Sequence, residues 1–300
     1  MFTGCGTALV TPFRKDLSLD EEALRRLVRR QVEAGVDFLV PCGTTGENPT
    51  LSRKEHLRVV EITLEEAAGR VPVLAGCGGY NTAEVIELGK ELAAMRVDGL
   101  LSVTPYYNKP TQEGLYQHYK AIAAAVKLPI VVYSVQGRTG VNVEPATVRR
   151  LAEIENIVGI KEASGNIAQM AAIIHQVPSR FTVLAGDDAV TLPLIALGGR
   201  GVISVVSNQI PAEMTRLVHL CLNNDFPAAR QLYYKYLPLM EVNFIESNPI
   251  PVKAAMALMG LLEPVWRLPL TPPKPENLAR IERVLKELGL LEARGVHAAS

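Results

Sequence analysis

Short apolar runs alternate with amphipathic stretches along the first two thirds of the chain. Residues 4–11 form the first run, which ends at Pro12. Leu24, Leu27, Val28 and Val32 then recur at the three-and-four spacing of one helical face, until Gly35 stops the pattern. Ser18, with Glu21 three residues on, has the spacing of a capping box and predicts the start of that helix. The couple of run and helical stretch then repeats. Further strands are predicted over 37–41, 71–76, 99–103, 129–134, 157–161, 181–186 and 201–205, and further helices over 52–69, 82–94, 112–126, 145–154, 167–176 and 188–197. Eight strands alternating with helices over about 205 residues predict an α/β fold of the (β/α)₈ type, the TIM barrel. A doubly wound sheet would want a G-x-G-x-x-G turn after the first strand, and none is there. Beyond 208 only helical patterns follow, at 212–223, 226–242, 250–258 and 275–287. The chain therefore divides into a barrel over 1–208 and a helical C-terminal extension over 209–300 packed on it. Residues 264–275 carry proline at five positions and predict an extended connector, and 292–300 read as a frayed end.

Composition narrows the function. The chain has 300 residues, 48% hydrophobic, enough to fill one barrel-sized core. Its 31 basic and 31 acidic residues are interspersed, so neither a nucleic-acid footprint nor a polybasic membrane anchor is expected. The apolar runs are too short to span a bilayer. A strand-like segment starts almost at the first residue, which argues against a signal peptide. Cys5, Cys42, Cys77 and Cys221 are scattered without metal-binding spacing and read as small buried hydrophobes in a reducing compartment. A cytoplasmic location is the resulting expectation. His56, His118, His175, His219 and His297 are equally dispersed, so no metal site is expected.

In a barrel the chemistry sits just past the carboxyl ends of the strands. The sixth predicted strand ends in Lys161. Two readings stand: a strand-end lysine snorkelling into solvent, or an amine held among apolar neighbours as a nucleophile towards carbonyls. The second strand is followed by Gly43-Thr44-Thr45-Gly46-Glu47, whose hydroxyls and backbone N–H groups suit a carboxylate, although an ordinary strand-to-helix turn would look the same. Tyr106 and Tyr107 follow the fourth strand, where adjacent tyrosines often pack an interface. After the fifth stand Tyr133, a phenol suited to proton transfer, and Arg138, a receptor for a second carboxylate. Gly186-Asp187-Asp188 follow the seventh. None of these is specific alone; all of them on one face form a set that is. Gly198-Gly199-Arg200-Gly201 precedes the eighth strand and so falls at the opposite end, as a helix cap and turn.

The motifs G-T-T-G-E, T-P-Y-Y-N-K-P, G-R-T-G, G-I-K-E-A-S-G, G-D-D, G-V-I-S-V and N-P-I-P-V-K occur in this order. Together they resemble the dihydrodipicolinate synthase / N-acetylneuraminate lyase family from about residue 2 to 291. The R-T-G triplet and the Y-Y-N loop are similar to the synthase branch. The resemblance implies that Lys161 forms an imine with pyruvate, whose enamine attacks the aldehyde of aspartate 4-semialdehyde, with no other cofactor. It implies Tyr133, Thr44 and Tyr107 as a proton relay, with Tyr107 crossing a tight dimer interface of a dimer of dimers, a homotetramer. Thr45 would hold the pyruvate carboxylate and Arg138 that of the semialdehyde, while Gly186 and Ile203 line the pyruvate site through backbone groups. The family usually reads Y-N-V-P-x-R-T-G; here Ser134 and Gln136 replace Asn and Pro, so the loop holding Arg138 is expected to lack the usual stiffening. At the family's lysine effector site His56, Glu84 and Tyr106 match. Tyr80 replaces an amide, Arg53 a His or aromatic residue, and Asn48-Pro49 the usual Ser-Ala. Weak or absent lysine inhibition is therefore expected.

The alternative within the family is a lyase or aldolase cleaving a sugar acid to pyruvate, from which Arg138 discriminates. A metal-dependent aldolase lacks a ligand cluster in the sequence, and a non-catalytic sensor on the same fold would not be expected to keep Lys161, Tyr133 and Thr44 together.

Overall fold

The computed structural model describes residues 2–291, so the frayed end expected over 292–300 lies outside the described residues. Each apolar run becomes a strand: β1 (Gly4–Ala8), β2 (Phe38–Val40), β3 (Leu74–Gly76), β4 (Gly99–Val103), β5 (Ile130–Ser134), β6 (Ile157–Glu162), β7 (Thr182–Ala185) and β8 (Gly201–Ser204). All of them pair in parallel, in the order β2-β1-β8-β7-β6-β5-β4-β3, and a bridge between Leu39 and Val73 joins the two ends into a closed barrel. The helices between them are α1 (Glu21–Glu33), α2 (Arg53–Ala67), α3 (Thr82–Ala94), α4 (Gln112–Ala125), α6 (Pro145–Leu151), α7 (Ile167–Gln176) and α8 (Thr191–Ala196), with a single-turn helix α5 (Gln136–Thr139) after β5. The (β/α)₈ barrel is thus the fold.

Alternation along the strands sorts the side chains into two cores. Phe2, Ala8, Phe38, Val40, Leu74, Leu101, Val131, Leu184 and Ile203 fill the barrel interior. The intervening positions, such as Cys5, Leu39, Leu100, Val132 and Ile160, face the surrounding helices and build the larger outer core. Each large side chain fully withdrawn from water contributes about 1.5–3 kcal/mol. The four cysteines are free thiols and all buried, as expected of small apolar side chains. The first helix is capped differently from expectation. Asp20 accepts from Ala23 N, whereas Ser18 donates to Asp16. The capping box belongs to Ser52 and Glu55 at the start of α2.

The chain ends in α9 (Pro211–Leu222), α10 (Phe226–Val242), α11 (Ile250–Leu258) and α12 (Pro275–Glu287). Helix α9 packs on β1 and β8, so a division at residue 208 falls between β8 and the helix that covers it. Helix α12 packs on both α10 and α11. Val252 and Met256 of α11 sit with Val10 and Val205, residues just past β1 and β8. That seats α11 at the carboxyl end of the barrel, where the strand-end residues gather.

Candidate active site

Lys161 points into the barrel mouth because of a defect in β6. The pairing of β5 with β6 runs Ile130 to Ile157 and then Val131 to Gly159, leaving Val158 as an extra residue. Ile157 faces the helices and Val158 the interior; strict alternation would send Lys161 outward with Ile157. The bulge resets the phase, so Ile160 faces out and Lys161 faces in beside its partner Tyr133. Gly159 makes the close strand approach possible, since a Cβ there would lie 2.5 Å from Thr182 O. Lys161 is 5% exposed, with Nζ 4.2 Å from the centre of the Tyr133 ring. Of the two sequence readings, the snorkel into solvent is excluded.

The turn after β2 places its two hydroxyls differently. Thr45 is buried in a cavity of about 90 Å³ with Tyr133, Lys161, Gly186, Arg138 and Asn248. Thr44 borders a second cavity of about 230 Å³, together with Asn48, Cys77, Tyr106 and Thr139. Tyr133, Val135 and Arg138 belong to both and form the shared wall. Thr45 Oγ1 accepts from Asn248 Nδ2 at 2.9 Å, and Arg138 Nη2 donates to Asn248 O at 2.9 Å. One residue of the C-terminal segment therefore links both expected carboxylate receptors. The loss of the loop proline does not leave Arg138 on an open loop. Gln136 begins the single turn α5, which Gly140 ends at φ +69, and Ser134 Oγ accepts from Val143 N at 3.1 Å.

Gly186 borders the Lys161 cavity, and a Cβ on it would strike Ala163 Cβ at 2.4 Å. Ile203 sits in the barrel interior with Tyr133 and Leu184, and Val205, two residues on, is the β8-end residue at the cavity wall. Tyr107 is not brought to either cavity. It is 91% exposed with φ +59, a conformation uncommon for a bulky residue. The effector candidates divide. Asn48 and Tyr106 border the second cavity, and His56 lies buried behind Asn48, whose Oδ1 accepts from His56 Nδ1 at 2.8 Å. Burial, with the nearby Arg53 charge, lowers the His56 pKa to about 4. Tyr80 packs edge-on against Tyr106 with ring centres 5.1 Å apart, and Glu84 accepts from Asn81 Nδ2.

The model of the dihydrodipicolinate synthetase family matches residues 1–288. The chain belongs to that family. The 4-hydroxy-tetrahydrodipicolinate synthase of Koribacter versatilis (strain Ellin345) is 56% identical over 290 residues, covering 96% of this chain and 97% of the relative. Among solved structures, the dihydrodipicolinate synthase of Thermotoga maritima superposes with a TM-score of 0.95 at 47% identity, covering 97% of this chain and all of the other. The chloride-inhibited dihydrodipicolinate synthase of Acinetobacter baumannii, complexed with pyruvate, superposes with a TM-score of 0.96 at 44% identity and the same coverage.

Beyond the residues expected of a dihydrodipicolinate synthetase family member, the structure brings in a further set. Asp187, Val205, Phe244 and Asn248 complete the Lys161 cavity. Asp188 Oδ2 accepts from Val205 N at 3.1 Å and Val206 N at 2.8 Å and so fixes the wall after β8; burial pushes its pKa up to about 6. Glu47, the last residue of the G-T-T-G-E turn, forms a fully buried ion pair with Lys253 of α11. Burial lowers the Lys253 pKa against the opposing pull of Glu47. Removing one partner of such a pair costs about 3–5 kcal/mol, because an unpaired charge stays behind. The motifs G-D-D and N-P-I-P-V-K are the sequence signals for Asp187, Asp188, Asn248 and Lys253, G-V-I-S-V and G-T-T-G-E those for Val205 and Glu47, and Phe244 lies in none; spacing along the chain gives no hint that Asn248 and Lys253 reach residues 45 and 47.

Proposed function

We infer that the chain condenses pyruvate with L-aspartate 4-semialdehyde to 4-hydroxy-tetrahydrodipicolinate, a step of lysine and diaminopimelate biosynthesis, through an imine on Lys161. The observation that carries this reading is a nearly buried lysine amine in a small cavity that also holds a threonine hydroxyl and the Arg138 side chain. Family membership supplies the substrates.

The chemistry follows from that arrangement. The amine of Lys161 attacks the keto carbon of pyruvate, water leaves, and the imine forms. The imine draws electrons from the methyl group, which loses a proton to give the enamine. The enamine carbon attacks the aldehyde carbon, whose oxygen takes up a proton. The amino group of the second substrate then attacks the imine carbon, closing the ring and releasing Lys161. Each step moves a proton, and Tyr133 stands beside the lysine to carry it. Thr44 and the partner's copy of the exposed residue 107 would extend the relay; a phenol 91% exposed, next in sequence to the cavity-lining Tyr106, supports such a crossing. Thr45 receives the pyruvate carboxylate, and Arg138 the carboxylate of the semialdehyde with the guanidinium N–H groups that Asn248 leaves unused. A homotetramer built as a dimer of dimers is the assembly proposed. A cytoplasmic location is supported by four free buried thiols. Among the described residues no helix is long and apolar enough to cross a membrane.

Borohydride reduction in the presence of pyruvate tests the reading: a pyruvate-derived mass should appear on Lys161, followed by turnover in a coupled assay with aspartate 4-semialdehyde. An unlabelled lysine would overturn it. Turnover of a sugar acid in place of the semialdehyde would move the chain to the lyase branch.

A further inference from the structure

Glu47 and Lys253 are both fully buried and meet from positions 206 residues apart in the chain. A buried ion pair is a poor source of stability, because apolar residues of the same volume often serve as well or better. Its surroundings indicate another task. Glu47 ends the turn that carries Thr44 and Thr45, and its N–H donates to Thr44 O at 3.1 Å. It has φ +53, the left-handed region that a residue with a side chain adopts only when its surroundings fix it there. Here they do. Lys253 holds one carboxylate oxygen, Arg267 N approaches the other at 3.4 Å, and Thr11 Oγ1 donates to Gly46 O at 2.7 Å. Lys253 is itself confined, with Nζ 4.5 Å from the centre of the Phe13 ring.

Five residues before Lys253, Asn248 reaches the same turn. Its Nδ2 donates to Thr45 Oγ1, so the threonine oxygen already takes an N–H. The hydroxyl proton of Thr45 has no acceptor among the described residues and remains for a ligand in the cavity. The segment 248–253 thus grips the turn on both sides of Gly46, once at Thr45 and once at Glu47.

We propose that residues Asn248 and Lys253 are positioning residues for the carboxylate-binding turn. The Lys253–Glu47 pair sets the turn's conformation, and Asn248 sets the direction in which Thr45 donates. The proposal rests on the reading of Thr45 as the receptor of the keto-acid carboxylate. The helical extension therefore takes part in keto-acid binding although its own side chains do none of the chemistry.

The test is a titration of each substrate at saturating concentration of the other on the double variant Glu47→Gln/Lys253→Met. Removing both charges leaves no unpaired charge, and a thermal melt reports whether the variant is folded. The pyruvate KM should rise about tenfold, while kcat and the semialdehyde KM change less than about threefold. A folded double variant with the wild-type pyruvate KM would mean that the pair is merely structural and overturns the proposal. Should the double variant not fold, Asn248→Ala decides the matter, since it cuts the other tether and leaves the pair intact. The same selective rise in pyruvate KM is expected, and an unchanged KM overturns the proposal. Thr45→Val is measured alongside. An unchanged pyruvate KM there removes the receptor itself, and the proposal with it. A raised KM in Thr45→Val beside wild-type values in the tether variants sinks the tether alone.

Discussion

The two cavities at the barrel mouth share the wall of Tyr133, Val135 and Arg138 but are built from different material. The smaller gathers Lys161, Thr45, Asp187, Arg138 and Asn248, reactive or hydrogen-bonding side chains from several strand ends and the C-terminal segment. The larger is lined by Gly43, Gly76 and Gly78, two buried thiols and the rim residues Thr44, Asn48, Pro49 and Tyr106. Burial pushes the thiols of Cys42 and Cys77 up, so they act as small hydrophobes and not as nucleophiles. The first cavity is thus equipped to change a bound acid chemically, and the second to recognise a shape. Thr44 and Thr45, neighbours in sequence, stand one in each, so any displacement of that turn is felt on both sides.

The comparison breaks outright if the small cavity is not where the chemistry happens. Lys161→Ala should lower kcat by about a thousandfold or more and abolish the borohydride adduct, because no other group on the wall can form an imine. Retained adduct on another lysine would move the site. Arg138→Leu should come next. It removes the proposed carboxylate receptor from the shared wall, and kcat/KM for the semialdehyde should fall about a hundredfold with the adduct still forming. An equal loss in adduct formation would assign Arg138 to the first substrate instead.

A smaller effect tests whether the small cavity is complete in one chain. Tyr107→Phe should lower kcat about tenfold. If the phenol crosses between subunits, mixing Tyr107→Phe with Lys161→Ala chains should restore activity, because one hybrid site then carries an intact lysine and an intact tyrosine. No recovery in mixed assemblies confirmed by mass would place Tyr107 outside the relay.

The order of the elements was legible from the apolar spacing, since alternation of strands and helices leaves a period that local residues dictate. Lys161, Tyr133, Thr45 and Arg138 were legible as a set because a barrel puts all strand ends on one face. What that period could not carry was phase. The bulge at Val158 adds one residue to β6, and nothing in Ile157–Glu162 announces it; without it the lysine would face the helices. The tethers were illegible for a different reason. Lys253 belongs to a helical stretch whose pattern predicts only packing and Asn248 to the turn before it, and their partners lie 206 and 203 residues away. Even the first cap went to Asp20 instead of Ser18, because an Asp at the helix boundary competes with a Ser two residues earlier for the same N–H groups.

The larger cavity can be probed through stability, where the effect is more modest. Behind its rim His56 has a folded pKa of about 4 against an ordinary value of 6.5. A depressed pKa means that the unfolded chain takes up the proton first as pH falls. The stability involved is fully present above about pH 6.5 and is lost towards pH 4, a swing of roughly 3 kcal/mol. His56→Gln should lessen the fall in melting temperature over that window by about half, the rest remaining with His118, whose pKa burial also lowers to about 4, while leaving activity at neutral pH nearly unchanged. A variant with the wild-type acid limb would show that the acid sensitivity comes from elsewhere.

Lysine should produce the smallest effect of all. An effector with an ammonium and a carboxylate needs unpaired polar groups at a rim of fixed shape. Here the Asn48 carbonyl oxygen is already taken by His56, Tyr80 closes edge-on over Tyr106, and Glu84 holds Asn81. Each of these contacts would have to be exchanged for one with the ligand, so little net free energy remains to favour binding. A lysine titration of the steady-state rate should therefore show no half-inhibition in the sub-millimolar range. Half-inhibition there would mean that the rim opens on binding, and Asn48→Ser, which frees His56, should then tighten inhibition further. If Asn48→Ser alone turns an insensitive enzyme into an inhibited one, the asparagine is what keeps the second cavity from acting on the first.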